Sequence, residues 1–255
     1  MQSFAESNNG VDLFCVKSDE ERLHVHSQIV IAADGGSSNM VKQIAPALTA
    51  RLTWYVALQE TYDCRSHLEP GFFHFFAFPE ISPYPSAYIK DNLLVMEVVV
   101  RLEDKATQAM ARFQEHLWKQ IGIEQAHLIR WLGCRVTYAA PRGLFCFGTE
   151  RILVCGEASG LLNLFGEGIS SALASGRIAG KVSVNSIEQK VPPGRFYRQE
   201  IETEKRKTIS TFNYKTLLFR EGSAFNFKKG LHAMDWKERL IFCQNLLKWR
   251  LTLKT

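Results

Sequence analysis

From Cys155 to Ile169 the chain reads Cys-Gly-Glu-Ala-Ser-Gly-Leu-Leu-Asn-Leu-Phe-Gly-Glu-Gly-Ile. This stretch restricts the fold more than any other. It follows a short apolar run, Ile152-Leu153-Val154-Cys155, which has the composition of a buried strand. Beyond it, from Ile169 to about Val184, come Ser170, Ser171, Ala172, Leu173, Ala174, Ser175 and Ala179, small residues suited to a closely packed helix. The expected order is strand, glycine-punctuated loop, and a helix that opens on a glycine. Such a geometry aims unpaired backbone N–H groups and the positive end of a helix dipole at whatever occupies the loop. An electron-rich ring that becomes anionic on reduction suits that place.

The same residues carry a family resemblance. They are similar to the second flavin motif of FAD-dependent reductases and hydroxylases, G-D-A-A-G followed by N-P-x-x-G-E-G-I. Upstream, Ile29-Val30-Ile31-Ala32-Ala33-Asp34-Gly35-Gly36-Ser37-Ser38 resembles the A-D-G-x-x-S segment of the same group. The wording G-E-G-I-S-S-A-L-x-S-G most resembles the geranylgeranyl reductase branch, whose members hydrogenate isoprenoid double bonds. The resemblance covers roughly residues 10 to 185 and implies FAD as cofactor, with NAD(P)H or another reductant as electron source. Carried over motif by motif, it places flavin contacts at Asp34, Gly35, Gly156, Glu157, Ala158, Gly166, Glu167, Gly168 and Ile169. Gly168 is expected where backbone approaches the ring, in a conformation that valine would oppose. A plainer reading of Asp34, as an acidic turn capping the next helix, fits the same residues.

Three features depart from the pattern. Glu157 stands where the motif has Asp, which in the family bonds the ribityl chain; Glu keeps two acceptor oxygens but moves them out by one methylene. Leu164 replaces the motif's Pro, freeing the turn's backbone at a cost of about 0.4–1 kcal/mol. The third is the G-x-G-x-x-G turn that holds the FAD pyrophosphate, which occurs nowhere in the sequence. Met1 to Gly10 read as polar and irregular, and a βαβ unit of about 30 residues has no room before Asp34. A fragment, one half of a split flavoprotein completed by a partner chain, and a degenerate remnant all fit that departure.

The expected fold class is α/β: a partial FAD-binding Rossmann-like domain from residues 1–50 and 150–185, with an inserted antiparallel substrate sheet and helix at 51–149. A basic helical region would follow at 186–255. Val11 to Val16 and Leu23 to His26 read as strands, with His24 and His26 on one solvated face. Aromatics crowd the inserted part at Trp54, Tyr55, Phe72, Phe73, Phe75, Phe76, Phe78, Tyr84 and Tyr88. Leu93 to Arg101 is expected as a strand and Thr107 to Gly122 as a helix ended by that glycine. An aromatic sheet most simply means core. In the family such a sheet faces the flavin and forms the substrate cavity, which puts Phe76, Phe78 and Tyr88 forward as the wall of an apolar tunnel. His74, the one titratable ring in that cluster, reads as a core or surface histidine.

Charge is uneven. Lys190 to Thr255 holds 15 Lys and Arg against 6 Asp and Glu, while the rest of the chain is slightly acidic. The basic part calls for an anionic partner such as a diphosphate, a lipid head group or an acidic membrane surface. No helix-turn-helix, RNA-binding or zinc signature accompanies it, so neither nucleic acid nor a metal is expected. Asp235-x-x-Glu238 resembles a capping box opening an amphipathic helix from Trp236 to about Lys254, with Trp249 among its basic residues. That helix would either dock on the body or lie on an anionic membrane. No run approaches the ~18 apolar residues of a membrane span, no signal-peptide layout is present, and six scattered cysteines without C-x-x-C favour reduced thiols in the cytoplasm. The functions that follow are an isoprenoid double-bond reductase, a flavin monooxygenase, or a non-catalytic remnant or partner subunit that binds lipid or protein.

Overall fold

The computed structural model describes residues 1–76, 78, 80–82, 85–123, 125–164 and 166–218. The helix expected from Trp236 to Lys254, its capping box, and Tyr84 lie outside them. Along the chain run β1 (Ser3–Ser7), β2 (Gly10–Val16), β3 (Arg22–Ser27), β4 (Val30–Ala32), α1 (Asn39–Ile44), α2 (Pro46–Thr49), β5 (Trp54–Cys64), β6 (Phe73–Phe75), β7 (Ser86–Lys90) and β8 (Leu93–Arg101). There follow α3 (Ala106–Ile121), β9 (Ala126–Thr137), β10 (Ile152–Val154), α4 (Ile169–Gln189), α5 (Gly194–Glu200) and α6 (Glu202–Leu218). The chain divides into two compact units: Met1–Ala57, Arg101–Asp104 and Gly133–Phe212 form the first, and Leu58–Val100 with Lys105–Leu132 belong to the second. Residues 186–212, set apart as a separate region by their charge, are thus part of the first unit.

In the first unit β1, β2 and β3 make an antiparallel sheet. Ser3 to Ser7 were expected to be irregular; they pair with Gly10 to Phe14 across a tight turn at Asn8-Asn9. The alternation Ser-Phe-Ala-Glu-Ser is too polar to announce a strand, but Phe4 opposite Leu13 packs into the cluster around Val11, Met40, Val41 and Ile152. His24 and His26 do share a face, and both ring nitrogens meet Asp12 Oδ1, at 2.8 and 3.0 Å. Their hydrogen bonds, that of His26 foremost, hold the Asp12 carboxyl below its ordinary pKa.

The strands that precede the two motif turns are neighbours. β4 and β10 pair in parallel, Ile152 beside Val30 and Val154 beside Ala32, and all three residues of β10 are fully buried. That accounts for its unbroken apolar run. Ile152 and Val154 enter the cluster with Ala32 and Met40, whereas Leu153 packs with Leu161, Ala179, Val182, Tyr197 and Ile201. α4 runs beyond Val184 because it is stopped by Lys190 in the left-handed region, which no glycine announces. Its outer side keeps Ile169, Leu173, Val184 and Ile187 exposed.

Tyr197 of α5 is fully buried, and its hydroxyl donates to the Val154 carbonyl at 2.8 Å. Burial pushes its pKa well above that of free tyrosine. Tyr197→Phe should therefore cost about 1–3 kcal/mol, the penalty of a buried carbonyl left without its donor. Denaturant unfolding would read this as a lower midpoint at unchanged slope.

The second unit is a five-stranded sheet in the order β6-β7-β8-β5-β9, antiparallel from β6 through β8. Alternation along β8 sends Leu94, Met96 and Val98 to one face, where Met110, Phe113 and Leu117 of α3 meet them at helical spacing. Gly122, in the left-handed region, ends α3 where the sequence expects. On the other face Gln59 donates to Glu97 Oε1 at 2.6 Å and to the Tyr88 hydroxyl at 3.3 Å.

Candidate functional site

Because β4 and β10 run in parallel, their carboxyl ends deliver the Asp34–Ser38 turn and the Gly156–Gly160 turn to the same end of one sheet. Open α/β sheets commonly bind ligands at such an end. Among the described residues no other strand extends this pair.

The upper turn is held by capping. Ser38 Oγ accepts the Val41 N–H at 2.9 Å, and Asp34 Oδ2 accepts those of Asn39 and Met40 at 2.9 and 3.4 Å. Asp34 thus orients α1 with one oxygen. Gly35 has φ +75° and open space where a Cβ would stand, so the outer side of this turn is accessible backbone.

The lower turn is a short 3-10 segment, Gly156–Ser159, closed by Gly160. Gly156 donates its N–H to Ser175 Oγ of α4 at 2.9 Å, and Ser159 Oγ donates back to the Gly156 carbonyl at 2.7 Å. A Cβ on Gly156 would come within 3.1 Å of Ala172 Cβ, so the turn lies directly on α4. Ala158 is buried in the cluster below. Burial pushes the Glu157 carboxyl above its ordinary pKa, opposed by a hydrogen bond from the Thr137 backbone, and Oε1 is buried without a partner.

At the start of α4, Glu167 supplies the anion that the helix dipole favours. Its Oε1 accepts the Ser170 N–H at 2.7 Å, and its own N–H donates to Asn163 Oδ1 at 2.9 Å. Gly166 has φ +75°. Gly168, expected in a conformation that valine would oppose, has φ −126°; a Cβ there would meet the tip of Leu162 at 3.1 Å and the Leu161 carbonyl oxygen at an ordinary 4.0 Å. Its backbone therefore imposes no demand for glycine. Ile169 is 74% exposed.

The structure brings Asp34, Gly35, Gly156, Glu157 and Ala158 to the ends of one strand pair, with Gly166, Glu167, Gly168 and Ile169 at the opening of α4. In the second unit Tyr88 stacks on Phe73 at 4.3 Å on the sheet face opposite α3, whereas Phe76 and Phe78 pack with Phe113 in the core. His74 bonds the Glu69 carbonyl at 3.2 Å. Sequence reasoning missed the reach of Glu157 to Thr137 and the Ser175 anchor, which join residues distant along the chain and leave no local signal. No group of three or more His, Cys, Asp or Glu side chains among the described residues is placed to hold a metal ion, and none of the helices there is long and apolar enough to cross a membrane.

No protein-family model matches the sequence, and no curated protein matches it either. Solved structures do. A geranylgeranyl bacteriochlorophyll reductase-like protein from Thermoplasma acidophilum superposes with a TM-score of 0.71 at 18% identity, over 95% of this chain and 68% of that one. A p-nitrophenol 4-monooxygenase from Pseudomonas putida gives 0.63 at 13%, over 98% and 65%. A myxobacterial chondrochloren halogenase, described as a variant of FAD-dependent halogenases, gives 0.63 at 13%, over 95% and 59%. The chain thus shares the fold of these flavoprotein oxidoreductases and spans about six- to seven-tenths of their lengths. Two features fit the polyol and ring end of a flavin: a buried Glu157 oxygen without a protein partner and accessible backbone at Gly35.

Proposed function

We propose that the chain is the portion of a flavin-dependent oxidoreductase that holds the ring end of FAD and the substrate sheet. The substrate reading is an isoprenoid, geranylgeranyl-type lipid whose carbon–carbon double bonds are reduced. The observation that carries this is the parallel pairing of β4 with β10, which sets the two motif turns side by side. Bound and reduced, flavin supplies a hydride to one alkene carbon while a proton reaches the other. The chain's own part is placement. Gly35 offers open backbone, Gly156 is pinned to α4 through Ser175, and Glu167 fixes the loop that opens α4. The exposed apolar face of Phe73 and Phe75 beside Tyr88 suits a prenyl chain.

A monooxygenase is the second reading. The hydrogen-bonded Gln59, Tyr88 and Glu97 on that same face would suit a polar aromatic substrate. Oxygen separates the two. With excess reduced FAD and a geranylgeranyl substrate under anaerobic conditions, mass spectrometry should find the dihydro product. A product that carries added oxygen and forms only in air would overturn the reductase reading, and no product under either condition would leave a binding protein. Contact of the basic segment with an anionic membrane, at the periphery of the cytoplasm, belongs to the same proposal.

A further inference from the structure

Glu157 does more than line its turn: it reaches across to the other one. Its Cγ and Cδ lie 3.4 and 2.9 Å from where a Cβ of residue 36 would stand, with Oε1 closer still. The Thr137 backbone faces the carboxyl, while Oε1 has no protein partner. Beneath lies a cavity of about 20 Å³, lined among others by Gly36, Ser38, Trp54, Thr137 and Glu157, with room for about one water. Lys42 is the other charged side chain on its wall, and its ammonium is engaged with Asn39 Oδ1 at 3.3 Å.

We propose that Glu157 is a gate in the crevice between the two motif turns. Its carboxyl takes the place of a polyhydroxylated ligand segment, and it closes there because Gly36 has no Cβ. This rests on the reading that a flavin binds at these turns. Aspartate, one methylene shorter, cannot span the crevice from position 157, and a methyl at position 36 pushes the glutamate out. The closed position leaves a carboxyl oxygen away from bulk solvent with no protein partner, so the gate is held weakly and yields to a ligand whose hydroxyls bond it. A gate closed in nine chains of ten weakens ligand binding about tenfold.

The test uses the 255-residue chain with Glu157→Asp, Gly36→Ala and the double variant, read by melting temperature without ligand and by titration with FAD. Gly36→Ala should lower the melting temperature when Glu157 is present and leave it unchanged when made on top of Glu157→Asp. Glu157→Asp should bind FAD about tenfold more tightly. Gly36→Ala should also tighten binding, and the double variant should bind no better than Glu157→Asp alone. Additive melting shifts, or weaker binding by Glu157→Asp, would overturn the gate and leave the flavin reading intact. The titration runs to FAD concentrations high enough to offset the pyrophosphate cradle that the sequence lacks; coupled melting shifts with no FAD bound there by any variant would remove the flavin reading and reduce the contact to a structural one, which also overturns the gate.

Discussion

Purified alone, the 255-residue chain should carry little or no FAD. A pyrophosphate is held by a glycine-rich turn that opens a helix after a parallel strand, and the sequence contains no G-x-G-x-x-G. Among the described residues the parallel sheet consists of β4 and β10 alone. The turn after β4 spends its helix opening on Asp34 and Ser38, and the one after β10 packs on α4. Hydrogen bonds to a charged group contribute about 1.5–3 kcal/mol each, so losing such a cradle costs roughly a hundredfold or more in affinity. The flavin-to-protein ratio from visible absorbance after gel filtration measures it. A stoichiometric ratio would mean that some other segment holds the phosphates.

Gly160→Val should be among the most damaging substitutions in the first unit. Gly160 has φ +91°, a conformation that a β-branched residue strongly resists. Its Cβ would stand 3.0 Å from both the Leu144 carbonyl oxygen and Ala139 Cβ, and 3.3 Å from the Phe145 ring. A backbone oxygen cannot swing aside as a side-chain tip can. Strain of about 1–3 kcal/mol and crowding of similar size sum to about 2–6 kcal/mol. Gly176→Ala is the control: it lies within α4, a Cβ there meets nothing within 4 Å, and it should gain up to about 1 kcal/mol. Thermal unfolding that ranks the two the other way would show that the turn is built differently.

These contrasts show what the sequence made legible. β8 and α3 were readable because their apolar periods are long and Gly122 marks the helix end. The two motif strands were readable because buried parallel strands are unbroken apolar runs. β1 was not, since its pairing depends on a partner strand and its own residues alternate only weakly. The place of α4's end was hidden in Lys190, a residue that rarely takes a left-handed conformation. In the site, the residue types of Asp34, Gly156 and Glu157 were legible. That Asp34 caps α1, that Gly156 is pinned by Ser175, and that Glu157 leans on Gly36 are facts of tertiary proximity. Gly168 teaches the converse: a glycine in a motif can sit in a conformation that any residue adopts.

The pairing of Ile31 with Leu153 also sets when the site can come into being. About 120 residues separate these partners, so the pairing is far from local in sequence and carries a loop-closure penalty. The turns that meet at the ends of β4 and β10 are each complete in sequence long before they are neighbours in space. During synthesis the first must wait until β10 has left the ribosome. The crevice is therefore a late product of folding, formed by non-local β pairing of the slow kind.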